Sequence, residues 1–294
     1  MSEKKVYIKA SSCISAQETF DKDVLNLEKI CVDKDSCDYI LAKDPNFNTY
    51  IPAKRLRRIC NNIRRGLLLS QNVLKKANIE NPDAIIVGTG LGCIHETISF
   101  LNTMIKEKEN FLNPSNFIQS THNTIAGNIA LMLGCYGYNM TFTQKNKSFE
   151  SALLDSIMML NQEEVNNVLL GGIDEIDTRV IDKICNLTCN KGKILGEGAA
   201  FFLLTNKKTE IELIFNPILN NIKNINIDVV IGSDASLLNN FPNAEYIIYK
   251  YFFGEFDTDI ALAMWLGYNY LNNDLHKNCL IFKNESSILL KKTI

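Results

Sequence analysis

Residues 119–177 read QSTHNTIAGNIALMLGCYGYNMTFTQKNKSFESALLDSIMMLNQEEVNNVLLGGIDEID, and their patterning decides the fold. Small residues at helical spacing predict a helix over 124–133. A second helix is expected over 148–161, where Phe149, Ala152, Leu153, Ile157 and Leu160 share one face. Leu154, Met158 and Met159 fill much of the other face, the pattern of a helix buried nearly all round. Ser148 is placed to cap it. β runs are expected at 139–143, before this helix, and at 167–170, ending in Gly171-Gly172. A helix that opens just after a β run is suited to activating a nucleophile. Its free N–H groups and its dipole lower a thiol's pKa and can receive an oxyanion.

The run GNIALMLGCYGYN (127–139), followed by GGIDE (171–175), resembles the β-ketoacyl-ACP synthases, condensing enzymes of the thiolase fold. Gly196-Glu197-Gly198-Ala199-Ala200, leading into FFLL, resembles their next recurrent motif. By that resemblance the nucleophilic cysteine's position falls on Asn146, between Lys145 and Lys147. A carboxamide has no atom comparable to a thiolate. The resemblance is thus to a divergent, chain-length-factor-like branch lacking the catalytic cysteine. His122-Asn123 also looks like synthase-like proteins of pigment and polyene clusters. The implied fold is α/β, a thiolase-like layered α-β-α-β-α arrangement. It would comprise an N-terminal ketosynthase-like half (1–207) and a shortened C-terminal half (208–294).

The rest of the composition sets limits. A chain of 294 residues, 46% hydrophobic, can bury a sizeable core. No run of 18 apolar residues suggests a membrane span, and Met-Ser-Glu-Lys-Lys opens without a signal-peptide apolar region, so a cytoplasmic location is expected. A formal net charge of −2 gives no general attraction to nucleic acid. Nine cysteines (13, 31, 37, 60, 93, 135, 185, 189, 279) form no CxxC pair and read as buried reduced thiols. Cys185 and Cys189 lack a nearby histidine for zinc. No cofactor or metal is expected.

Along the chain, 6–10 reads as a strand and 11–50 as polar and loop-rich. One amphipathic helix is expected over 51–78. Its polar face carries Lys54, Arg55, Arg57, Arg58, Arg64 and Arg65, either a dock for an acidic carrier protein or, preferably, a solvated face with one or two structural ion pairs. The strand at 83–87 ends in Gly88-Thr89-Gly90-Leu91-Gly92. This weak dinucleotide signal lacks the second strand and acid of a Rossmann unit. The helix beginning at Ile94 follows it. Beyond the strand at 199–204, strands are expected at 211–215, 229–231, 279–282 and 287–290, and helices at 245–253 and 258–271.

Condensation in the family needs the cysteine plus two histidines, or a histidine and an asparagine. This chain has His95, His122 and His276 only. Gly232-Ser233-Asp234-Ala235 and Gly254-Glu255-Phe256-Asp257, standing at the expected histidine motifs, carry none. His95 and His122 read as capping or hydrogen-bonding groups, His276 as exposed, and Cys135 as poorly placed for attack.

The favoured expectation is therefore a non-catalytic subunit in fatty-acid, polyene or aryl-polyene-type biosynthesis. It would pair with a catalytically complete ketosynthase served by an acyl carrier protein. Phe142, Thr143, Asn146, Phe149, His122 and Asn123 are the candidates for interface and acyl tunnel. Two alternatives stay open. One is a residual malonyl-thioester decarboxylase or thioesterase using Asn146, Gln144 or His122. The other is a homodimeric acyl-binding scaffold.

Overall fold

The computed structural model describes residues 5–22, 27–30, 37–110, 112–181, 193–217, 222, 225–236, 240–273 and 276–293. Cys31, Cys185 and Cys189, with the zinc question they raise, lie outside this set, as does the side chain of Cys37.

The first half begins with β1 (Val6–Ile14), followed by the short β2 (Cys37–Tyr39) and the helices α1 (Ala53–Leu56) and α2 (Asn61–Ala77). Next come β3 (Ala84–Gly88), α3 (Ile94–Lys106), α4 (Pro114–Ser120), α5 (Thr124–Leu133) and β4 (Tyr138–Phe142). α6 (Ser148–Asn161), β5 (Asn167–Asp174), β6 (Lys193–Leu195) and β7 (Gly198–Thr205) close this half. The second half runs β8 (Ile211–Phe215), β9 (Val229–Gly232), β10 (Glu245–Ile248) and α7 (Lys250–Phe253). It ends with α8 (Asp259–Asn272), β11 (Asn278–Lys283) and β12 (Ser286–Lys292).

Ten strands form one sheet in the order β10-β9-β11-β12-β8-β1-β7-β5-β3-β4, while β2 and β6 pair separately. The order is the same five-strand topology written twice. Outward from the centre, β1-β7-β5-β3-β4 matches β8-β12-β11-β9-β10 in pairing sense, two antiparallel steps followed by two parallel ones. β1 and β8 join the halves antiparallel. The pattern alternates faces as a two-sided sheet requires. Val168, Leu170, Phe202 and Leu204 point to one core, Leu169, Phe201 and Leu203 to another.

These faces define the layers. α8 packs against β1, β5 and β7 of the first half and β9, β11 and β12 of the second, and α6 lies on β3, β4 and β5. Both helices therefore sit between the two half-sheets, in the core that holds Phe149, Leu153, Leu262 and Trp265. α2 and α5 cover the outer face of the first half, and Ile222, Ile227, Val230 and Phe282 form the outer cluster of the second. The thiolase-like layering read from the sequence is the observed one.

Several elements depart from expectation. The helix over 51–78 is broken, because Arg57 is extended and Arg58 has φ 63°, so only Asn61–Ala77 forms the long helix. Residues 245–248 are the edge strand β10, not helix. Tyr246 packs on the outer cluster and Ile247 on the central core, an alternation that only a strand provides. α6 is not buried all round, since Leu154 and Met158 remain 47% and 50% exposed. Arg65 is not on a solvated face. It is 3% exposed, with Nη2 2.6 Å from Glu197 Oε1 and Nε 2.7 Å from Asp44 Oδ1.

Glu197 also accepts the backbone N–H groups of Ala42 and Ile176, so this carboxylate ties α2 to the loops beside β5 and β7. Removing one partner leaves a buried charge unpaired. Arg65→Met is expected to lower unfolding free energy in urea by about 3 kcal/mol. In the Arg65→Met/Glu197→Gln double variant the loss is expected to be smaller than the sum of the single losses.

Candidate functional site

The site assembles where α6 and α8 both begin, at the C-terminal ends of β3 and β5. α6 enters directly over Gly88. A Cβ there would lie 2.6 Å from Ser148 O and 2.7 Å from Phe149 N, so only glycine admits the helix. Ser148 does not cap the helix through its side chain; it is the first helical residue. Its Oγ accepts Gln144 N–H at 2.8 Å and donates to Lys145 O at 2.6 Å, fastening the preceding turn. Lys145 in that turn has φ 50°, and Asn146 beside it is exposed.

One carboxylate knits the site together. Asp174 Oδ1 accepts Thr89 Oγ1–H at 2.9 Å, Gly90 N–H at 2.8 Å and Leu91 N–H at 3.1 Å. Its Oδ2 accepts Thr258 N–H at 3.1 Å and Thr258 Oγ1–H at 2.8 Å. The glycine loop after β3 is thereby tied to the head of α8. The amides a phosphate would need already donate to a protein oxygen. Asp257 closes over the same loop, where a Cβ on Gly90 would meet its Oδ2 at 2.0 Å. Burial pushes Asp174 up to about 6 against the pull of hydrogen bonds from Thr258, Leu91 and Thr89.

Around α8's first turn lies a second polar set. Lys283 Nζ is 2.6 Å from Asp259 Oδ1 and donates to Asp257 O at 2.8 Å and Phe256 O at 3.3 Å. Tyr249 OH donates to Asp259 Oδ1 at 3.0 Å. Both Lys283 and Asp259 are buried. Glu150, in the first turn of α6, is buried with neither carboxylate oxygen hydrogen-bonded, and burial raises its pKa. Lys147 Nζ stands 3.9 Å from it. The region between the two helix starts is thus filled by the protein's own charges.

A cavity of about 210 Å³ opens beside this region, walled by Leu91, Ile94, Ile176, Val180 and Ile181. Glu175 and Asp257 also face it. Among the described residues Glu175 accepts a hydrogen bond from His95 N–H alone, at 3.1 Å, and burial pushes it up to about 7.

The residues singled out from sequence fall into separate groups. Phe142 is half-buried at the end of β4, Thr143 is exposed, and Phe149 is fully buried against Phe202. His122 and Asn123 are exposed before α5, with the imidazole of His122 lying over Gly92. Asn123 makes no side-chain cap. His95 Nδ1 pairs with Asp177 Oδ2 at 3.1 Å instead of capping α3. His276 is half-buried rather than exposed, stacked on Tyr270 and 3.6 Å from Glu245. Cys135 Sγ donates to Pro82 O, away from α6. Sequence reading missed Asp174, Thr258, Asp259 and Lys283. The only signals were acids at a strand end and a helix start.

Residues 43–186 match the family model described as Beta-ketoacyl synthase, N-terminal domain. The resemblance read from sequence falls on this stretch, which is similar to the N-terminal domain of the β-ketoacyl synthases. No curated protein matches the chain in sequence. Among solved structures, it is similar to a chain in the complex of a type II PKS acyl-carrier protein with its ketosynthase bound to the hexaketide. That match has 14% identity and a TM-score of 0.80, covering 99% of this chain and 100% of that one. It is also similar to a chain of a ketosynthase in complex with its chain length factor from Xenorhabdus doucetiae, at 12% identity and TM-score 0.74, covering 99% and 98%. A beta-ketoacyl synthase from Burkholderia phymatum STM815 matches at 12% identity and TM-score 0.75, covering 99% and 100%.

The raised carboxylates set a pH dependence. Asp174 and Glu175 bind protons more tightly folded than unfolded, so their stabilising contribution is full below their ordinary values of 3.8 and 4.5. It is lost as pH rises through about 6 and about 7. Asp177 and Asp234, held below the usual range by hydrogen bonds from Arg179 and Ser236, titrate at lower pH. The melting temperature is expected to fall between about pH 5 and about pH 7.5. Glu175→Gln, which keeps an acceptor for His95 N–H, is expected to flatten that slope.

Proposed function

We propose that this chain is a non-catalytic, chain-length-factor-like subunit that pairs through β4 with a catalytically complete β-ketoacyl synthase. The observation that carries the proposal is the open edge of the sheet. Among the described residues β4 pairs with β3 on one side only, and its Tyr138 and Met140 are partly exposed. Leu131 of α5, 81% exposed, and Leu154 and Met158 of α6 continue the apolar surface on the flanking helices. An unpaired edge strand bordered by exposed apolar side chains is a template for pairing and calls for a cover. A second thiolase-type subunit presenting its own edge supplies both the strand and the apolar face. That the similar solved structures include a ketosynthase bound to a chain length factor supports this choice of partner.

The chemistry of the site supports the non-catalytic half of the reading. Asn146 cannot act as a thiolate, and the space between the heads of α6 and α8 holds Lys283, Asp259 and Glu150. The subunit's contribution is then to shape the partner's acyl tunnel. Phe142, Thr143 and Asn146, together with His122 and Asn123, are the residues proposed to line the shared boundary, and Phe149 holds α6 in place beneath them. The partner's substrates arrive on an acyl carrier protein, in elongation of the fatty-acid, polyene or aryl-polyene type.

Co-expression with a complete synthase from the same genome, with the tag on this chain only, is expected to yield a one-to-one complex by native mass spectrometry. The complex should condense malonyl-carrier substrates while this chain alone does not. Met140→Asp, which places a charge on the edge without touching the core, is expected to weaken the complex by about 2 kcal/mol or more. A homodimer indifferent to the synthase would establish the scaffold reading instead. Turnover by this chain alone, lost on Asn146→Ala or His122→Ala, would establish a residual enzyme.

A further inference from the structure

Two thiols face each other outside the site described above. Cys60 Sγ lies 3.3 Å from Cys93 Sγ. Cys60 occupies the N-cap of α2 and Cys93 the N-cap of α3. The two differ in access. Cys93 is fully buried, and the adjacent thiol together with burial holds its pKa far above the ordinary range. Cys60 is half-buried on the wall of a cleft of about 540 Å³, which Arg58, Glu96, Asn113, Ser115, Asn116 and Gln119 also line. The other described cysteines lack such a neighbour: Cys13 and Cys279 are fully buried, and Cys135 contacts a carbonyl oxygen.

The geometry points to a reversible thiol modification site, in which Cys60 and Cys93 close a disulfide by exchange with a small disulfide admitted through this cleft. Cys60 is the attacking thiol and Cys93 the resolving one. The Cys60 thiolate attacks one sulfur of the small disulfide, a new S–S bond forms, and the first thiolate leaves and is protonated to a thiol. Cys93 then gives up its proton, attacks the Cys60 sulfur and expels the second thiolate. The two cysteines lose two electrons and two protons, and the small disulfide is reduced to two thiols. The sulfurs must close from 3.3 Å to about 2.05 Å. The chain before Cys60 can supply that movement, because Arg57–Ile59 lies outside regular helix and strand; Gln119 Oε1 accepts Cys60 N–H, Gln119 Nε2 donates to Arg58 O, and Ile59 is only partly buried at the rim of the core.

The bond would bind α3 to α2. No residue of α3 is buried, and its main neighbour is α4, where Phe100 packs at a tilt against Phe117. Oxidation therefore fastens to the core a helix pair that otherwise rests on its surface. The inference is independent of the partner reading.

The test uses the full chain, purified reduced and then incubated under native conditions with oxidised glutathione. Remaining thiols are trapped with N-ethylmaleimide before digestion and mass spectrometry. The expected result is a linked peptide pair joining Cys60 to Cys93, lighter by two hydrogens, which dithiothreitol reverses. Cys60→Ser should lose the link and leave Cys93 unmodified until denaturation. Cys93→Ser should stop at glutathione on Cys60. Recovery of both residues as maleimide adducts, a wild-type protein arrested at the mixed disulfide, or a link from Cys60 to any other cysteine would overturn the proposal. Should Cys93→Ser fail to fold, the wild-type and Cys60→Ser results decide it.

Discussion

The five hydrogen bonds accepted by Asp174 are the constraint on which the centre of this molecule depends. The residue ends β5, a strand buried along almost its whole length, and it faces donors from both halves of the chain. Thr89, Gly90 and Leu91 belong to the loop that follows β3, whereas Thr258 opens α8. A buried carboxylate with one or two donors would be costly. With five it becomes a joint, because each oxygen is committed to one half. The duplicated five-strand topology gives such a joint its importance: among the described residues the half-sheets share the β1–β8 pairing, and a short backbone bridge joins Leu195 to Glu255. The central helices and this carboxylate hold the two halves in register elsewhere.

α6 and α8 sit at that joint as counterparts. Each follows the outermost strand of its half and lies in the central layer. Their first turns differ in what they carry. α8 begins with Asp259, which favours the positive end of the helix dipole and is paired with Lys283. α6 begins with Glu150, whose oxygens find no hydrogen-bond partner and whose nearest cation is 3.9 Å away. Burial raises the pKa of both carboxyl groups, and Lys283 pulls against it in each case. Lysine 283 therefore serves as the common counter-charge of the two helix starts.

Much of this was legible in the sequence, for identifiable reasons. α5, α6 and β8 have the boundaries their patterns imply, because a small-residue helix, an apolar helix and a short β-branched run are each set by local composition. The family motifs placed the strands between them. The errors came where tertiary packing overrides local pattern. Glu245-Tyr246-Ile247-Ile248 reads equally as helix or strand, and only the parallel pairing on β9 decides it. Arg65 has the same sequence character as the exposed Lys54 and Arg55 of α1, yet its place on the buried face of α2 brings it to Glu197, 132 residues away in sequence. Apolar side chains on both faces of α6 imply burial of Leu154 and Met158, but none of the described residues covers that face. The Asp174 joint left no signal beyond an acid after two glycines, since its donors are mostly backbone.

The exposed face of α6 and the occupied space at its head bear on one another. A condensing site needs a thiolate at the helix start, and the dipole there would lower its pKa. Glu150 in the same turn opposes that effect when ionised, and Asp257 and Asp259 add carboxyl groups within the same region. A cysteine at position 146 would thus meet a helix terminus whose positive end already has acidic company, with no histidine in Glu255–Asp259 to act as its base. The head of α6 is surrounded by the protein's own acidic groups, which a thiolate there would have to oppose. The shape of this region is set independently of those charges: Gly88 admits the helix, Phe149 anchors it, and β4 presents an open edge. This is the arrangement on which the proposed pairing rests.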